Sequence, residues 1–268
     1  MNYLLVVLII LVALGITAWL GLQVRPKAFA QPPLAQGAAA TVPLPNGLPA
    51  PVERFYRSVY GDRVPVIDTV VITGRGRMRP FGIWLPARFV IVHQTGRNYR
   101  HYFEVTFFGL PFMRIDEGFL DGRSFFESLM GRYQDDANTN QAANLALWAE
   151  AGWFPALWVT DPGVRWVAVD EDTALLRVPY GETVETFVVR FDPPTGRISM
   201  METMRYRRPG DEVKILWITN TSADGRVAYA TWLDEGRPWA ELVLEKMIVQ
   251  ADVSEYIRRR GHRAGAVG

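Results

Sequence analysis

Two of the chain's three histidines lie near one another in the sequence. His93 follows an apolar run and His101 lies in the next predicted strand, with turn-forming residues 95–98 between them. A hairpin would place both imidazoles on neighbouring strands, where they could share a metal ion. Because the chain has no cysteine, a zinc site here would need carboxylates from elsewhere. We interpret the pair as cross-strand packing, and we predict no metal site and no cofactor.

The remaining groups capable of catalysis do not form a familiar pattern. Asp116 and Glu117 are neighbours in a predicted strand, so their side chains point to opposite faces and make a poor acid/base pair. Ser124 lacks the glycine that follows the nucleophile in a nucleophile elbow. The lack of cysteine excludes thiol nucleophiles, disulfides and iron–sulfur clusters. We therefore predict no catalytic residue. Convergence of a histidine with two carboxylates in a cleft would favour the alternative, a hydrolase.

Three arginines alternate with small or apolar residues in the segment 74–80. Two glycines are present, but the Lys-Ser/Thr of a phosphate loop is missing. Arg75, Arg77 and Arg79 would project from one face of a strand and bind acidic headgroups. The alternative is a solvated face on which the long arginine stems cover apolar surface.

Aromatic residues are concentrated around residues 148–166. They pack the core in one interpretation and line an apolar cavity between helix and sheet in the other. Methionines would supply adaptable walls for such a cavity. The predicted ligand-binding residues are Trp148, Trp153, Phe154, Trp158, Trp166, Met200 and Met204.

Residues 4–22 contain no charged side chain and are long enough for one membrane-spanning helix. A signal peptide is the alternative, but its apolar region is usually shorter and follows basic residues. We predict a single-pass anchor whose partner is the lipid bilayer. We expect the globular domain on the extracytoplasmic side. Arg25 and Lys27 after the helix favour the cytoplasmic side instead, so the orientation stays open.

The sequence divides into four parts. Residues 1–22 form the transmembrane anchor, 23–50 a Pro/Ala-rich linker, 51–258 a strand-rich globular domain, and 259–268 a basic flexible tail. With 49% hydrophobic residues and a net charge of +1, the chain is too apolar for disorder and too balanced for a dedicated nucleic-acid binder. We predict no nucleic-acid partner, and the sequence names no protein partner.

Period-two alternation dominates the second half of the chain. Phe187, Val189 and Phe191 share one face, and we expect Met200 and Met204 to share the buried face of the next strand. Helices are predicted at 51–60 and after the capping residues 135–138. The pattern predicts an α+β fold, mainly antiparallel β. Its curved sheet or incomplete barrel packs on two or three helices and follows one N-terminal transmembrane helix.

The segments 148–157 and 162–170 carry a resemblance to a known sequence pattern. A helix ending in Ala-Glu, followed by aromatics and Phe-Pro, precedes a Val-Arg-Trp strand. This pattern resembles an uncharacterised bacterial domain family of unknown function, most specifically over 135–207, and it implies no activity. At the level of fold, the order of elements is similar to lipoprotein-carrier proteins, in which a curved antiparallel sheet wraps helices over an apolar cavity. That similarity alone says little about function.

These observations favour a non-catalytic, membrane-tethered domain that binds an apolar or amphipathic, lipid-like ligand at the cell envelope. A structural or protein-interaction module of the envelope is the first alternative. A solid core with an exposed apolar patch would favour that module. A hydrolase with an unrecognised site is the second alternative.

Overall fold

The computed structural model describes residues 2–30, 37–80, 82–222 and 225–258. The predicted basic tail, 259–268, lies outside the described residues. A two-stranded sheet pairs β1 with β2, and every neighbouring pair in a second, 13-stranded sheet is antiparallel. The strands are β1 (Thr41–Pro43), β2 (Arg63–Pro65), β3 (Thr69–Met78), β4 (Leu85–Gln94), β5 (Asn98–Phe107), β6 (Leu110–Leu120), β7 (Arg123–Ser128), β8 (Gly131–Gln134), β9 (Arg165–Ala168), β10 (Thr173–Tyr180), β11 (Thr183–Phe191), β12 (Ile198–Arg205), β13 (Ile215–Thr221), β14 (Arg226–Thr231) and β15 (Pro238–Val249).

The large sheet is curved and open. Its order is β8-β7-β6-β5-β4-β3-β15-β14-β13-β12-β11-β10-β9, so β8 and β9 are edges that do not pair with each other. Consecutive strands pair as hairpins within each half, and β15 joins the halves by pairing with β3. The α+β prediction of a mainly antiparallel, incompletely closed sheet with few helices is confirmed.

Five α-helices are found among the described residues: α1 (Asn2–Gln23), α2 (Ala50–Tyr60), α3 (Ala137–Ala149), α4 (Leu157–Thr160) and α5 (Ser254–Ile257). A 3-10 turn, Glu150–Trp153, continues α3. Asp136 caps α3, because its carboxylate accepts hydrogen bonds from the backbone N–H groups of Asn138 and Thr139. This cap confirms the helix start expected at 135–138.

The two faces of the sheet bury different clusters. The inner face holds the main core, in which Phe89, Trp148 and Trp158 are almost completely buried. The outer face of β3–β5 and β15 holds a smaller cluster with Val71 and Tyr102. Period-two alternation sends neighbouring residues of one strand to these different cores.

The prediction that Met200 and Met204 lie on the buried face of β12 is wrong. Met201 and Thr203 are buried on the inner face, whereas Met204 is exposed. The cause is a β-bulge: Phe191 pairs with Ile198, but Arg190 pairs with Met200, which skips a residue. One extra residue inverts the inward and outward positions of a strand.

Helix α1 is the one described helix that is long and apolar enough to cross a membrane, a test that a signal sequence also passes. Its carboxyl end contacts the β5–β6 turn, where the Phe108 N–H donates to the Gly21 carbonyl at 3.0 Å. Residues 24–30 then follow the outer face of the sheet, and Phe29 is buried against Tyr102. Within the predicted linker, Thr41–Pro43 form β1.

Candidate functional site

A cluster of two histidines and two carboxylates lies on the inner face, and all but Glu117 are buried. His93 of β4 and His101 of β5 share that face, because Ile91 pairs with His101 and His93 pairs with Tyr99. Glu117 of β6 pairs directly with His101. Glu150 enters from the opposite layer, at the end of α3. We call these four residues the His–Glu cluster.

Hydrogen bonds link all four members. The Glu150 Oε2 atom lies 2.9 Å from His93 Nε2 and 2.7 Å from His101 Nε2. The second nitrogen of His101, Nδ1, lies 3.0 Å from Glu117 Oε1. Glu150 therefore accepts hydrogen bonds from two imidazoles, and His101 lies between two carboxylates.

The contacts determine which groups are charged. Burial alone would lower the pKa of His101, but the Glu150 and Glu117 carboxylates outweigh it and raise the pKa to about 9. Burial alone would raise the pKa of Glu150, yet the His101 charge and the hydrogen bonds of both imidazoles lower it to about 2. At neutral pH, His101 is consequently a cation and Glu150 an anion.

His93 is in the opposite situation. Burial lowers its pKa, and the hydrogen bond with Glu150 only partly compensates. A neutral imidazole that donates from Nε2 to Glu150 has a bare lone pair on Nδ1. Indeed, His93 Nδ1 has no hydrogen-bond partner among the described residues. The network thus assigns the Nε2–H tautomer to His93.

The same groups are a possible set of metal donors. Ligand atoms of His93, His101 and Glu150 all lie within 4.8 Å of one another, and nitrogen and carboxylate donors suit zinc. In the present arrangement, however, both Nε2 atoms point at the carboxylate as donors. The Nδ1 atom of His101 is hydrogen-bonded to Glu117. Hydrogen bonds within the cluster therefore satisfy most of its donor and acceptor atoms without a metal. The absence of a metal stays a prediction.

A pocket of about 400 Å³ adjoins the cluster, and Glu150 lies in its wall. The buried lining residues Phe55, Met201 and Tyr229 form an apolar floor. Exposed lining residues mark the mouth, among them Ser58 and Arg197. The volume falls within the range of about 300–1,000 Å³ that is usual for small-molecule sites.

The wall of the pocket includes a tryptophan whose polar group is buried. The Trp153 indole N–H is buried and has no hydrogen-bond partner among the described residues. Trp153 also stacks on Phe89, with ring centroids 6.2 Å apart and planes inclined by 7°. The indole N–H groups of Trp148, Trp166 and Trp217 are buried without a partner in the described part of the chain as well, and since the Trp153 nitrogen is inaccessible it does not face the pocket space as a donor.

The predicted ligand-binding residues are spread over three environments. Trp153 lines the pocket, whereas Trp148, Phe154 and Trp158 are buried in the core. Trp166 packs edge-on against Trp158, with ring centroids 6.0 Å apart. Met200 and Met204 lie on the face of β12 that points away from the pocket, and Met201 lines it instead. Their role as a ligand site stays a prediction.

The three predicted headgroup-binding arginines lie along the outer face of β3 and its end. Arg75 forms an ion pair with Glu245 at 2.7 Å, and Arg77 forms one with Glu241 at 2.7 Å. The guanidinium carbon of Arg79 lies 5.6 Å from the centre of the Trp84 ring. Two of the three cations therefore have carboxylate partners, and headgroup binding by the set stays a prediction.

Sequence reasoning missed Glu150 and the pocket residues from distant strands. Glu150 ends an Ala- and Leu-rich helix among aromatic residues, and a lone acid in such apolar surroundings was the available signal. Thr219, Val227 and Tyr229 join the pocket only because β13 and β14 lie beside β12. No local pattern marks them.

The fold and the site combine an open, curved antiparallel sheet with a largely apolar pocket beside the His–Glu cluster. The chain belongs to the family of unknown function DUF6544, whose model matches residues 38–232. No curated protein matches the chain. A solved structure of a LolA superfamily protein from Nitrosomonas europaea is similar to 72% of this chain and 90% of its own, with 9% sequence identity and a TM-score of 0.44.

Proposed function

We propose that this protein is a non-catalytic, membrane-tethered domain whose pocket binds an apolar or amphipathic, lipid-like molecule. The observation that carries the proposal is the pocket of about 400 Å³ with its apolar floor. In this proposal, α1 anchors the domain in the bilayer, where such ligands are concentrated.

The distribution of polar groups supports an amphipathic ligand over a pure hydrocarbon. Phe55, Met201 and Val227 offer apolar contacts, while the exposed lining residue Ser58 offers a hydroxyl near the mouth. Arg197 at the mouth would attract an anionic headgroup. A ligand with a chain in the floor and an oxygen-rich head toward the mouth satisfies each of these groups.

Photo-crosslinking in membranes tests the proposal. Vesicles that contain the full chain are loaded with a diazirine-labelled fatty acid, illuminated and digested, and the adducts are located by mass spectrometry. We expect adducts on the pocket segments around Val59 and Trp153.

Paired variants of one strand make the test specific. Met201→Trp fills the pocket, whereas Met200→Trp adds the same ring to the opposite face of β12. We expect the pocket adducts to disappear in the first variant and to persist in the second. Adducts confined to α1 and absent from the pocket would contradict the proposal.

A hydrolase is the second candidate, because His101 meets two carboxylates and one of them, Glu150, reaches the pocket wall. Against it, the side chains of His93 and His101 are 0% and 3% exposed, which leaves little room for substrate or water. Turnover of acyl esters that Glu150→Gln abolishes in a correctly folded protein would favour the hydrolase.

An interaction module of the envelope is the remaining alternative. Exposed apolar residues are present at one end of the sheet, which is the feature such a module needs. The pocket beside the main core argues for ligand binding instead, since a module that binds through its surface needs no such space.

A further inference from the structure

Three connections at one end of the sheet carry exposed apolar side chains. In β3–β8 the strands alternate in direction, so the β3–β4, β5–β6 and β7–β8 connections lie at the same end. Their most exposed large apolar residues include Ile83 at 58%, Leu110 at 69% and Leu129 at 76%. We call this set the apolar rim; it comprises Ile83, Phe108, Leu110, Phe112, Leu129 and Met130.

The turns at the opposite end of the same strands are polar. The β4–β5 turn is Thr95-Gly96-Arg97, and the β6–β7 turn is Asp121-Gly122. Within β3–β8 the contrast is therefore between the two ends of the strands, while Val184 and Val213 are exposed elsewhere in the chain. Apolar patches of this kind mark contacts with proteins or membranes.

The two ends of the strands also differ in the residue type that occupies the first position of their hairpin turns. The β5–β6 turn places Phe108 at φ 50° and Gly109 at φ 73°, and the β6–β7 turn places Asp121 at φ 52° and Gly122 at φ 82°. Such hairpin turns favour Asn or Asp at the first position, and a bulky aromatic there is unfavourable. The chain follows this preference at Asp121 and departs from it at Phe108, whose ring packs against Gly21 of α1 and keeps part of its surface exposed.

The position of α1 indicates what covers the rim. Its carboxyl end contacts the same turn: the Phe108 N–H donates to Gly21, and Val24 lies beside Gly109. The side chains of Arg25 and Arg114 near this end are 65% and 70% exposed, and each also lies 3.6 Å from a carboxylate, that of Glu245 and Glu104 respectively. A bilayer that contained α1 would therefore begin at the rim, with cations at headgroup level.

We propose that the apolar rim inserts into the interfacial region of the bilayer beside α1 and fixes the orientation of the domain on the membrane. This inference rests on the anchoring role of α1 in the proposed function. It adds a second membrane contact, made by hairpin turns of the globular domain.

The absence of cysteine makes the test direct, because one introduced cysteine labels one position of the full chain. Leu110→Cys reports on the rim, Val12→Cys on the middle of α1, and Arg97→Cys on the opposite end of the sheet. Each variant carries the fluorophore NBD in vesicles of phosphatidylcholine with a minor fraction of phosphatidylglycerol. Quenching by aqueous iodide is compared with quenching by a nitroxide attached to lipid.

We expect the nitroxide to quench the labels at positions 110 and 12, and iodide to quench the label at position 97 severalfold more strongly. Equal iodide quenching at 110 and 97, with position 12 in lipid, would refute the rim and leave the anchor intact. Iodide access at position 12 would refute the anchor and the rim together. Shielding of position 110 from both quenchers would indicate a protein contact and overturn the proposal.

A second comparison separates insertion from folding. Leu110→Asp places a charge on a rim side chain that is 69% exposed, whereas Phe108 packs on Gly21 of α1 and its replacement would disturb that contact as well. With the label at Leu129→Cys, we expect iodide quenching to rise severalfold in Leu110→Asp. The matched control Val169→Asp replaces an exposed valine next to the β9–β10 turn and should leave the quenching unchanged. Unchanged quenching in Leu110→Asp would contradict a rim that inserts as one surface.

Discussion

Replacement of Glu150 by glutamine tests whether the His–Glu cluster is held together by charge. Glutamine keeps the shape and one oxygen acceptor but removes the negative charge that faces His101 and His93. The variant therefore leaves a buried imidazolium with only Glu117 as its counter-ion. Loss of one member of a buried ion pair is strongly destabilising.

The magnitude follows from the His101 pKa. The difference between about 9 and the ordinary 6.5, at about 1.4 kcal/mol per pH unit, corresponds to about 3 kcal/mol of stability. The pKa of Glu150 is lowered by a similar amount. Because both pKa shifts describe the same interaction, their free energies are not added. Because Glu117 keeps part of the effect, we expect Glu150→Gln to lose about 2 kcal/mol at pH 6.

The sign of the pH dependence is also determined. A raised pKa for His101 means stabilisation that is complete below pH 6.5 and lost as the pH rises through about 9. A lowered pKa for Glu150 means stabilisation present above pH 4.5 and lost as the pH falls through about 2. The pKa of His93 is lowered, so this residue reduces the stability of the folded state as the pH falls below the ordinary histidine value of 6.5. The ion pair is thus strongest between pH 4.5 and 6.5.

The assay is urea unfolding of the full chain in mild detergent, followed by tryptophan fluorescence at pH 6 and pH 10. We expect the loss in Glu150→Gln to shrink at pH 10, where His101 is neutral in the parent protein. Glu212→Gln, an exposed carboxylate, is the control and should stay within about 0.5 kcal/mol of the parent. An equal loss at both pH values, or no loss at pH 6, would refute the ionised pair.

Three further predictions concern packing and capping. Asp136→Ala removes the cap of α3 and should cost about 1 kcal/mol in the free energy of unfolding, measured by urea titration. Tyr56→Phe removes the buried hydroxyl that donates to the Pro155 carbonyl at 2.6 Å, while the Trp158 backbone N–H stays bonded to that carbonyl at 3.0 Å; a loss of about 1 kcal/mol is expected, and a neutral result in thermal unfolding would contradict this. Phe29→Ala should release residues 24–30 from the outer face without unfolding the sheet, so trypsin cleavage after Lys27 should accelerate while the melting temperature changes little.

Local sequence patterns determined much of the fold. The uncharged run of residues 4–22 predicts α1, and Asp136 before an Ala-rich run predicts the capped start of α3. Alternation in Phe187, Val189 and Phe191 predicts a half-buried antiparallel strand. These features depend on helical rise, capping and the two-residue period of a strand, all of which act between neighbours along the chain.

Only the tertiary structure decided which residues share a site. The bulge between Arg190 and Phe191 turned Met201 inward in place of Met200, because one extra residue inverts every later side chain of a strand. Glu150 meets His93 and His101 across a sequence separation of about 50 residues. Sequence patterns carry the periodicity of single elements, whereas register and layer packing set the distances between elements, and those distances determine the pKa values and the pocket.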